Sequence, residues 1–374
     1  MAIKPLEFYN SLISSGLDFF AGVPDSLLKN LCACISKNAP ANRHTITANE
    51  GNAVAMACGY HIATGRMGVV YLQNSGLGNA INPLLSLADE EVYSIPLLLV
   101  VGWRGEPGVH DEPQHVKQGR VTIPLLEACG IGYEVLDSNN WSTQLKTTVT
   151  HLTAESKPYA VVVRKGAFDS YPFEPEDDDF LLTREEALDL ILGHIPKCDY
   201  VVSTTGKTSR EVFEIREAHR KTHAHDFLTV GSMGHTASIA LGMSLWTEKA
   251  VWCIDGDGSF LMHMGSLPVA ASKAGSNFKY IVNVNGAHES VGGQPTIALD
   301  IDVPGILKAS GFKYLADARN ADEVAAGMKV LEHADGPAAM ILYTRQGSRG
   351  NLGRPTLSPI ENRNMIAEAF RDDS

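Results

Sequence analysis

Residues Ala250–Phe260 read AVWCIDGDGSF, and this stretch decides the class of fold. Its apolar first half is typical of a buried strand, which runs directly into Asp255, Gly256, Asp257 and Gly258. In a parallel α/β sheet, ligands bind beyond the carboxyl ends of the strands. Two glycines at that position let the backbone approach a bulky anion. We therefore predict an α/β fold in which Gly256, Asp257 and Gly258 lie at a binding site.

On either side of this stretch, short apolar runs alternate with longer amphipathic segments. The alternation predicts βα units around parallel sheets. The predicted strands are Val69–Gln73, Leu97–Val101, Ala160–Val163, Tyr200–Ser203, Ala250–Ile254, Tyr280–Val284 and Ala339–Tyr343, and the predicted helices include Asn52–Ala63, Arg184–Ile195 and Thr236–Ser244.

An acidic segment divides this pattern into two parts. Tyr171–Asp179 reads YPFEPEDDD, which is typical of a solvated linker. We predict an α/β domain at residues 1–168, a linker at 169–181, a second α/β domain at 182–346 and a basic C-terminal tail at 347–374.

The composition of the whole chain limits the classes of function. The 374 residues carry a net charge of −12 and no block of basic residues, so nucleic acid is not an expected partner. The longest apolar run, which begins at Ile95, is too short to span a bilayer, so no membrane partner is expected. The six cysteines are scattered, and the N-terminus lacks a signal-peptide pattern. These features predict a cytoplasmic protein with reduced thiols.

A second predicted strand also ends in an oxygen donor. Asn285 follows Tyr280–Val284 and lies 28 residues after Asp257, a spacing that suits one helical crossover. If the two strands are neighbours, the carboxylate and the amide oxygen meet at one sheet edge, where they would suit Mg2+. Upstream, the glycine-rich turn Gly231–His235 leads into the helix Thr236–Ser244, and the amides at such a helix start favour a diphosphate.

GDGS followed by an asparagine at this spacing resembles the fingerprint of thiamine-diphosphate-dependent enzymes. The usual pattern ends in two adjacent asparagines, and this chain has Val284 at the first of them. The resemblance implies two thiamine-diphosphate-binding-fold domains, each a parallel sheet flanked by helices, without a middle domain. It also implies that Asp257, Asn285 and the main-chain oxygen of Ala287 hold Mg2+, and that the diphosphate lies near Gly206 and Ser259. Met233 would support the bent cofactor, and the carbonyl of Gly231 would accept a hydrogen bond from the aminopyrimidine.

The segment HTITANEGNAVAMACGY, residues 44–60, indicates a short strand that ends at Glu50-Gly51, followed by a helix of small residues. By itself, an acid there would stabilise the start of a helix. ANEGNAVAMACGY closely resembles the segment in which the same enzymes carry their proton-sharing glutamate. The resemblance therefore implies that Glu50 hydrogen-bonds the pyrimidine ring of the cofactor.

Residues Gly102–Gly119 read GWRGEPGVHDEPQHVKQG, which we expect to be a polar loop rather than the start of a helix. An arginine fork and a lysine charge suit a substrate that carries an extra anionic group. The basic residues proposed for this pocket are Arg104, His110, His115 and Lys117. The alternative is that the acids of the loop neutralise its bases, and that Arg345, Arg349 or Arg354 binds the anion.

The longer stretches FFAGVPDSLL, NSGLGNAINPL, YSIPLLLVVGWRGEPGVHDEPQHVKQGR, NGAHESVGGQPT and NLGRPT resemble the phosphonopyruvate decarboxylases along nearly the whole chain. The resemblance implies decarboxylation of a small anionic 2-oxoacid, 3-phosphonopyruvate, with Asp25, His288 and Glu289 also at the substrate. At the position that resembles Val291, pyruvate decarboxylases carry an acidic residue. The resemblance further implies a homodimer or larger homo-oligomer with the active site at the subunit interface.

Three alternatives remain open at this stage. Sulfopyruvate decarboxylase is the near alternative, because it shares the two-domain layout and an anionic substrate. A non-catalytic scaffold is disfavoured because Glu50, Asp257 and Asn285 are all present. A dinucleotide-binding protein ranks lowest, because Gly76-Leu77-Gly78 lacks the final glycine of the expected motif.

Overall fold

The computed structural model describes residues 1–173 and 179–372, which form two compact units. The first unit contains the described residues up to 173 together with His288–Gln294, and the second contains the remaining described residues. The sequence-based division places His288–Gln294 in the second domain, whereas the segment packs with the first unit. Part of the predicted linker, residues 174–178, lies outside the described residues.

The first unit is built on a parallel sheet with the strand order β2-β1-β3-β4-β6-β5. Its strands are β1 (Leu17–Gly22), β2 (His44–Ile46), β3 (Met67–Gln73), β4 (Leu97–Gly102), β5 (Gly132–Val135) and β6 (Tyr159–Val163). Its helices are α1 (Pro5–Ser14), α2 (Lys29–Asn38), α3 (Glu50–Thr64), α4 (Leu77–Pro83), α5 (Pro113–Ala128) and α6 (Trp141–Glu155), with 3-10 turns at Ala41–Arg43, Asn74–Gly76 and Glu289–Val291 and a π-helical turn at Leu84–Ala88.

The second unit is built on a parallel sheet with the strand order β11-β12-β10-β9-β7-β8. Its strands are β7 (Tyr200–Ser203), β8 (Asp226–Leu228), β9 (Val251–Gly256), β10 (Phe278–Val284), β11 (Tyr314–Ala318) and β12 (Ala338–Tyr343). Its helices are α7 (Arg184–His194), α8 (Lys207–Ala218), α9 (Thr236–Ser244), α10 (Asp257–Met262), α11 (Ser266–Lys273), α12 (Val303–Ser310), α13 (Ala321–His333) and α14 (Pro359–Asp372).

The two sheets have the same topology. When the strands of the second unit are counted from its own first strand, both orders become 2-1-3-4-6-5. In each sheet the first and third strands are neighbours whose connections lead to opposite sides, so the carboxyl ends of β1 and β3, and of β7 and β9, flank a crevice. The predicted fold class, two parallel sheets flanked by helices, is confirmed.

Helices cover both faces of each sheet because the central strands are apolar on both sides. Every residue of β4 and of β10 is buried. In β4, Leu98 and Val100 pack in the cluster that contains α1 and α2, whereas Leu97 and Leu99 pack in the cluster that contains α3. This alternation follows from the two-residue period of a strand, and continuous apolar runs are typical of central parallel strands.

Two local predictions were wrong. The segment expected to be a polar loop becomes helical at Pro113, because proline at the first position of a helix has a suitable φ and needs no N–H partner there. The strand before Glu50 ends at Ile46, and Glu50 begins α3 directly after Asn49, whose side chain caps the helix by accepting from the Asn52 amide at 3.0 Å.

The C-terminal segment is packed against the second sheet. In α14, the buried Asn362 accepts from the Leu228 amide at 3.0 Å and donates to the Asp226 carbonyl at 2.7 Å. The helix thereby supplies hydrogen-bond partners for the outer edge of β8. Within residues 1–173 and 179–372, no helix is both long enough and apolar enough to cross a membrane.

Candidate functional site

The two residues predicted to bind the metal lie side by side. Strands β9 and β10 are parallel neighbours, and their register pairs Asn283 with Gly256. Asp257 and Asn285 therefore leave adjacent strands at the same edge of the sheet. The amide of Gly286, the residue after Asn285, donates to Asp257 Oδ2 at 2.8 Å. The prediction of this site assumed that the two strands are neighbours, and β9 and β10 are indeed paired.

The environment of Asp257 fits a divalent cation. The side chain is buried, and its oxygens also accept from the Gly258 amide at 2.7 Å and from the hydroxyl of Thr296 at 3.0 Å. Burial raises the pKa of Asp257 to about 6, although these hydrogen bonds oppose the increase. A buried carboxylate of this kind is stabilised by a cation, and the amide oxygen of Asn285 and the carbonyl of Ala287 are the hard oxygen donors that Mg2+ prefers.

The crevice between β7 and β9 has features that suit a diphosphate. Gly206 follows β7 and precedes α8 with a φ of 95°, which favours glycine. The turn that contains Gly231 and the half-buried Met233 is tied to the GDGS segment, because the Gly234 amide donates to Ser259 Oγ at 3.0 Å. This contact joins the two glycine-rich segments that were predicted to bind the cofactor.

The buried hydroxyl oxygens of Thr229 and Thr236, at the same edge, have no hydrogen-bond partner among the described residues. Thr229 directly follows β8, and Thr236 is the first residue of α9. Buried polar groups are rarely left unpaired, so both hydroxyls are available to donate to a bound polar group. Diphosphate oxygens are acceptors that such hydroxyls satisfy, and the residues present therefore fit thiamine diphosphate.

Glu50 lies in the first unit, in a buried position at the start of α3. Asn79 Nδ2 donates to its Oε2 at 2.7 Å. Burial raises the pKa of Glu50, and the hydrogen bond from Asn79 opposes that increase. Burial thus favours the protonated form of Glu50 more than water would, which is the direction that its proposed role requires.

The first unit also holds a charged cluster at the carboxyl ends of β1 and β4. Arg104 donates through Nε to Asp111 Oδ2 at 2.8 Å and through a terminal nitrogen to Ser26 Oγ at 2.8 Å. Asp25 is fully buried beside it, and burial raises the pKa of Asp25 to about 6 against the opposing charge of Arg104. The structure therefore brings together Asp25 and Arg104, which were singled out from separate segments of the sequence.

The remaining basic residues of this segment differ in exposure. Burial, together with the charge of Arg104, lowers the pKa of His115 to about 4, so this imidazole is neutral at pH 7. Its Nδ1 is buried and has no hydrogen-bond partner in the described part of the chain. His110 and Lys117 are exposed, and Lys117 lies on α5. Arg104 and His115 are thus the half-buried polar groups of the proposed pocket.

In the alternative anion site of the C-terminal segment, Arg345 and Arg349 form ion pairs with acidic side chains. Arg349 contacts Glu185 at 2.8 Å and also Glu214, and Arg345 lies 3.7 Å from Glu186. Arg104 is likewise paired, with Asp111, so ion pairing alone does not separate the two alternatives.

His288 and Glu289, which directly follow Ala287, belong to the first unit. His288 is buried, and burial lowers its pKa to about 4. Glu289 begins a short 3-10 turn and is half-buried. Both remain proposed substrate residues.

Sequence reasoning missed three polar residues that hold the site together. Asn79 binds Glu50, and Thr296 binds Asp257. Buried Asn74 accepts from the Arg104 amide at 3.1 Å and donates to the Arg104 carbonyl at 2.8 Å, which fixes the backbone of that residue. The only signal in the sequence was the presence of Asn74 and Asn79 in NSGLGNA, directly after a predicted strand. Their hydrogen-bond partners are distant in sequence and were therefore not predictable.

Comparisons with known proteins agree with this geometry. Residues 8–123 match the N-terminal TPP binding domain of thiamine pyrophosphate enzymes, and residues 204–341 match the C-terminal TPP binding domain. The chain is 34% identical to a phosphonopyruvate decarboxylase from Streptomyces viridochromogenes over 99% of this chain and 94% of that protein. The phosphonopyruvate decarboxylase of Streptomyces hygroscopicus gives the same values, and a sulfopyruvate decarboxylase from Methanosarcina acetivorans is 29% identical over 83% of each chain.

Proposed function

The chain belongs to the thiamine pyrophosphate enzymes, and from this premise we propose that it decarboxylates 3-phosphonopyruvate to phosphonoacetaldehyde and CO2. It is a thiamine-diphosphate-dependent 2-oxoacid decarboxylase, and Mg2+ is the usual metal of its family. Phosphonopyruvate decarboxylases match it over nearly their full length, which supports the choice of substrate.

The observation that carries this choice is the position of Arg104. Its guanidinium is half-buried at the carboxyl end of β4, next to Ser26, and its backbone is fixed by Asn74. A substrate without an extra anionic group would gain little from a held arginine, whereas a phosphonate accepts charge-assisted hydrogen bonds from it.

When bound, thiamine diphosphate supplies the electron sink for the departing CO2. Asp257, Asn285 and the carbonyl of Ala287 would hold Mg2+ against the diphosphate, which Gly206, Gly231 and Ser259 would surround. Met233 would support the bend of the cofactor. These residues would orient the cofactor, and the burial of Asp257 and Asn285 would keep water from this edge.

Glu50 would hold the proton that it shares with the pyrimidine nitrogen. Arg104, with His110, His115 and Lys117, would bind the phosphonate. Asp25, His288 and Glu289 would face the reacting end of the substrate, where neutral His288 can donate a hydrogen bond.

We also propose a homodimer or larger homo-oligomer in which one subunit contributes Glu50 and its partner contributes the metal edge. In support, the proposed pyrimidine residue and the proposed diphosphate residues lie on different units, each with its own sheet. The six free cysteines agree with a cytoplasmic location, which stays a proposal.

Sulfopyruvate decarboxylase activity is the second candidate, because a sulfonate is also a compact tetrahedral anion. Two observations rank it lower. The sulfopyruvate decarboxylase from Methanosarcina acetivorans matches a smaller part of the chain at lower identity than the phosphonopyruvate decarboxylases.

The deciding experiment measures CO2 release from phosphonopyruvate, sulfopyruvate and pyruvate with added thiamine diphosphate and Mg2+. We expect the highest kcat/KM for phosphonopyruvate. Asp257→Ala should abolish this activity and cofactor binding by calorimetry while circular dichroism stays unchanged. A higher kcat/KM for sulfopyruvate, or release of CO2 from none of the three acids, would refute the proposal.

A further inference from the structure

The carboxyl group of Glu50 is contacted on both of its oxygens by one segment, Asn74–Pro83. Asn79, on α4, donates through Nδ2 to Oε2 at 2.7 Å. Gly76 lies against the other side, where a Cβ atom at that position would be 2.2 Å from Oε1. Any side chain at residue 76 would therefore displace the carboxyl group.

The same segment also locks the start of the helix that carries Glu50. A Cβ atom on Gly51 would lie 2.8 Å from the carbonyl oxygen of Asn79. The segment Asn74–Pro83 and the first turn of α3 are thus in close contact at three points, Gly76 with Glu50, Asn79 with Glu50 and Asn79 with Gly51. Such packing leaves Glu50 little freedom to change its rotamer.

We infer that Asn79 is a positioning residue for Glu50: its hydrogen bond to Oε2, with Gly76 packed beside Oε1, holds the carboxyl group in one orientation. The inference rests on the proposed role of Glu50. The amide of Asn79 is a donor that stabilises the ionised carboxylate, and it cannot itself take up a proton at neutral pH. Its removal leaves the carboxyl group in a buried site with one fewer donor.

The influences on Glu50 are few, which makes the inference testable. Burial raises its pKa, and the Asn79 hydrogen bond and the Glu50 backbone amide lower it. A donor to the charged form lowers a pKa, so loss of the donor must raise it. We expect the pKa of Glu50 to rise by about one unit, which is a tenfold change in its protonation equilibrium.

The test uses the full chain without cofactor, labelled with 13C at the glutamate side-chain carboxyl carbon. The Glu50 signal is assigned by its loss in Glu50→Gln, and its pKa is read from a pH titration. The variants are Asn79→Ala and Asn79→Leu, of which the second is similar in shape to asparagine but has neither a donor nor a charge. Asn82→Ala is the matched control, because Asn82 is exposed on the same helix and contacts Ser86 instead.

We expect a raised Glu50 pKa in both Asn79 variants and a pKa equal to the original protein in Asn82→Ala. Affinity for thiamine diphosphate with Mg2+, measured by calorimetry, should fall several-fold in the Asn79 variants alone. An unchanged Glu50 pKa in either folded Asn79 variant overturns the inference, and so does loss of the fold in both variants, which would make the residue structural.

The outcome is separable from the test of the proposed function. If the original protein releases no CO2 from any 2-oxoacid but Asn79 variants still shift the Glu50 pKa, the proposed function fails and the positioning role stands. If the protein is active and the Glu50 pKa does not move, the positioning role fails and the proposed function stands.

Discussion

Asp25 is a single residue whose buried charge lowers the stability of the fold at neutral pH. Its carboxyl group is fully buried, and Oδ2 accepts from the amides of Leu27 at 3.0 Å and Leu28 at 3.3 Å. Burial nevertheless raises its pKa from 3.8 to about 6, and the charge of Arg104 only partly compensates. The folded protein therefore binds a proton more tightly at this site than the unfolded chain does.

The sign of the resulting pH dependence follows from this difference. The contribution of Asp25 to stability is fully present below pH 3.8 and is lost as the pH rises through about 6. At pH 7.5 the buried carboxylate costs about 2–3 kcal/mol relative to a neutral group.

We predict that Asp25→Asn is more stable than the original protein at pH 7.5, and that the gain shrinks as the pH approaches 4. Asparagine keeps an acceptor for the two amides and removes the buried charge. Thermal unfolding followed by circular dichroism at a series of pH values measures the gain. Exposed Asp137→Asn is the control and should show no such trend. Equal or lower stability of Asp25→Asn at pH 7.5 contradicts the prediction.

At the scale of elements, the loops after β3 and β4 are held together by hydrogen bonds. Asn74, after β3, binds both backbone groups of Arg104, after β4, and also donates to Thr122 on α5 at 2.8 Å. Hydrogen bonds from Arg104 and the Gly105 amide lower the pKa of Asp111 to about 2 although burial opposes them, so Asp111 stays ionised and holds the guanidinium. The arginine is thus held in place without substrate.

We expect Arg104→Ala to raise the KM for phosphonopyruvate about tenfold or more, because one charge-assisted hydrogen bond contributes roughly 1.5–3 kcal/mol. Arg104→Lys keeps the charge that faces Asp25 and Asp111 but loses the fork, so it should also raise KM. Activity on pyruvate, if measurable, should fall less. Arg345→Ala tests the C-terminal alternative. Unchanged KM in the Arg104 variants together with raised KM in Arg345→Ala would place the anion site in the C-terminal segment.

At the scale of the whole molecule, the chain repeats one sheet topology, and we propose a different chemical role for each copy. The first unit carries Glu50 and the proposed substrate arginine, and the second carries Asp257 and Asn285. If active sites form between subunits, a defect in each unit can be compensated by a partner with the other defect.

We therefore predict complementation between two inactive variants. When Glu50→Gln and Asp257→Ala chains are unfolded together in equal amounts and refolded, mixed dimers have one intact site and one doubly altered site. Activity should recover to about a quarter of that of the original protein, since half of the dimers are mixed. Each variant refolded alone is the control. No recovery, with mixed dimers demonstrated by tagged subunits, would place both residues of each site in one chain.

The sequence by itself determined the fold class, the central strands apart from β1, and the sheet edge at which Asp257 and Asn285 lie. Strands such as β4 and β10 are buried on both faces, so their apolar runs are visible without any partner. Asp257 and Asn285 were predictable because a parallel sheet brings the carboxyl ends of neighbouring strands together. The helix Thr236–Ser244 begins and ends at the predicted residues, since glycine-rich and polar segments flank it.

Only the tertiary structure decided strand β1, most of the edge strands and the polar contacts. Strands β5, β8 and β11 lie at sheet edges, where they are short or partly exposed, so they lack a continuous apolar run. The hydrogen bonds from Asn79 to Glu50 and from Thr296 to Asp257 join residues 29 and 39 positions apart. Hydrophobic periodicity shows which face of an element is buried, but it carries no record of which polar group from another element meets that face. Burial and those partners together set the pKa values at the site, and both exist only after the chain has folded.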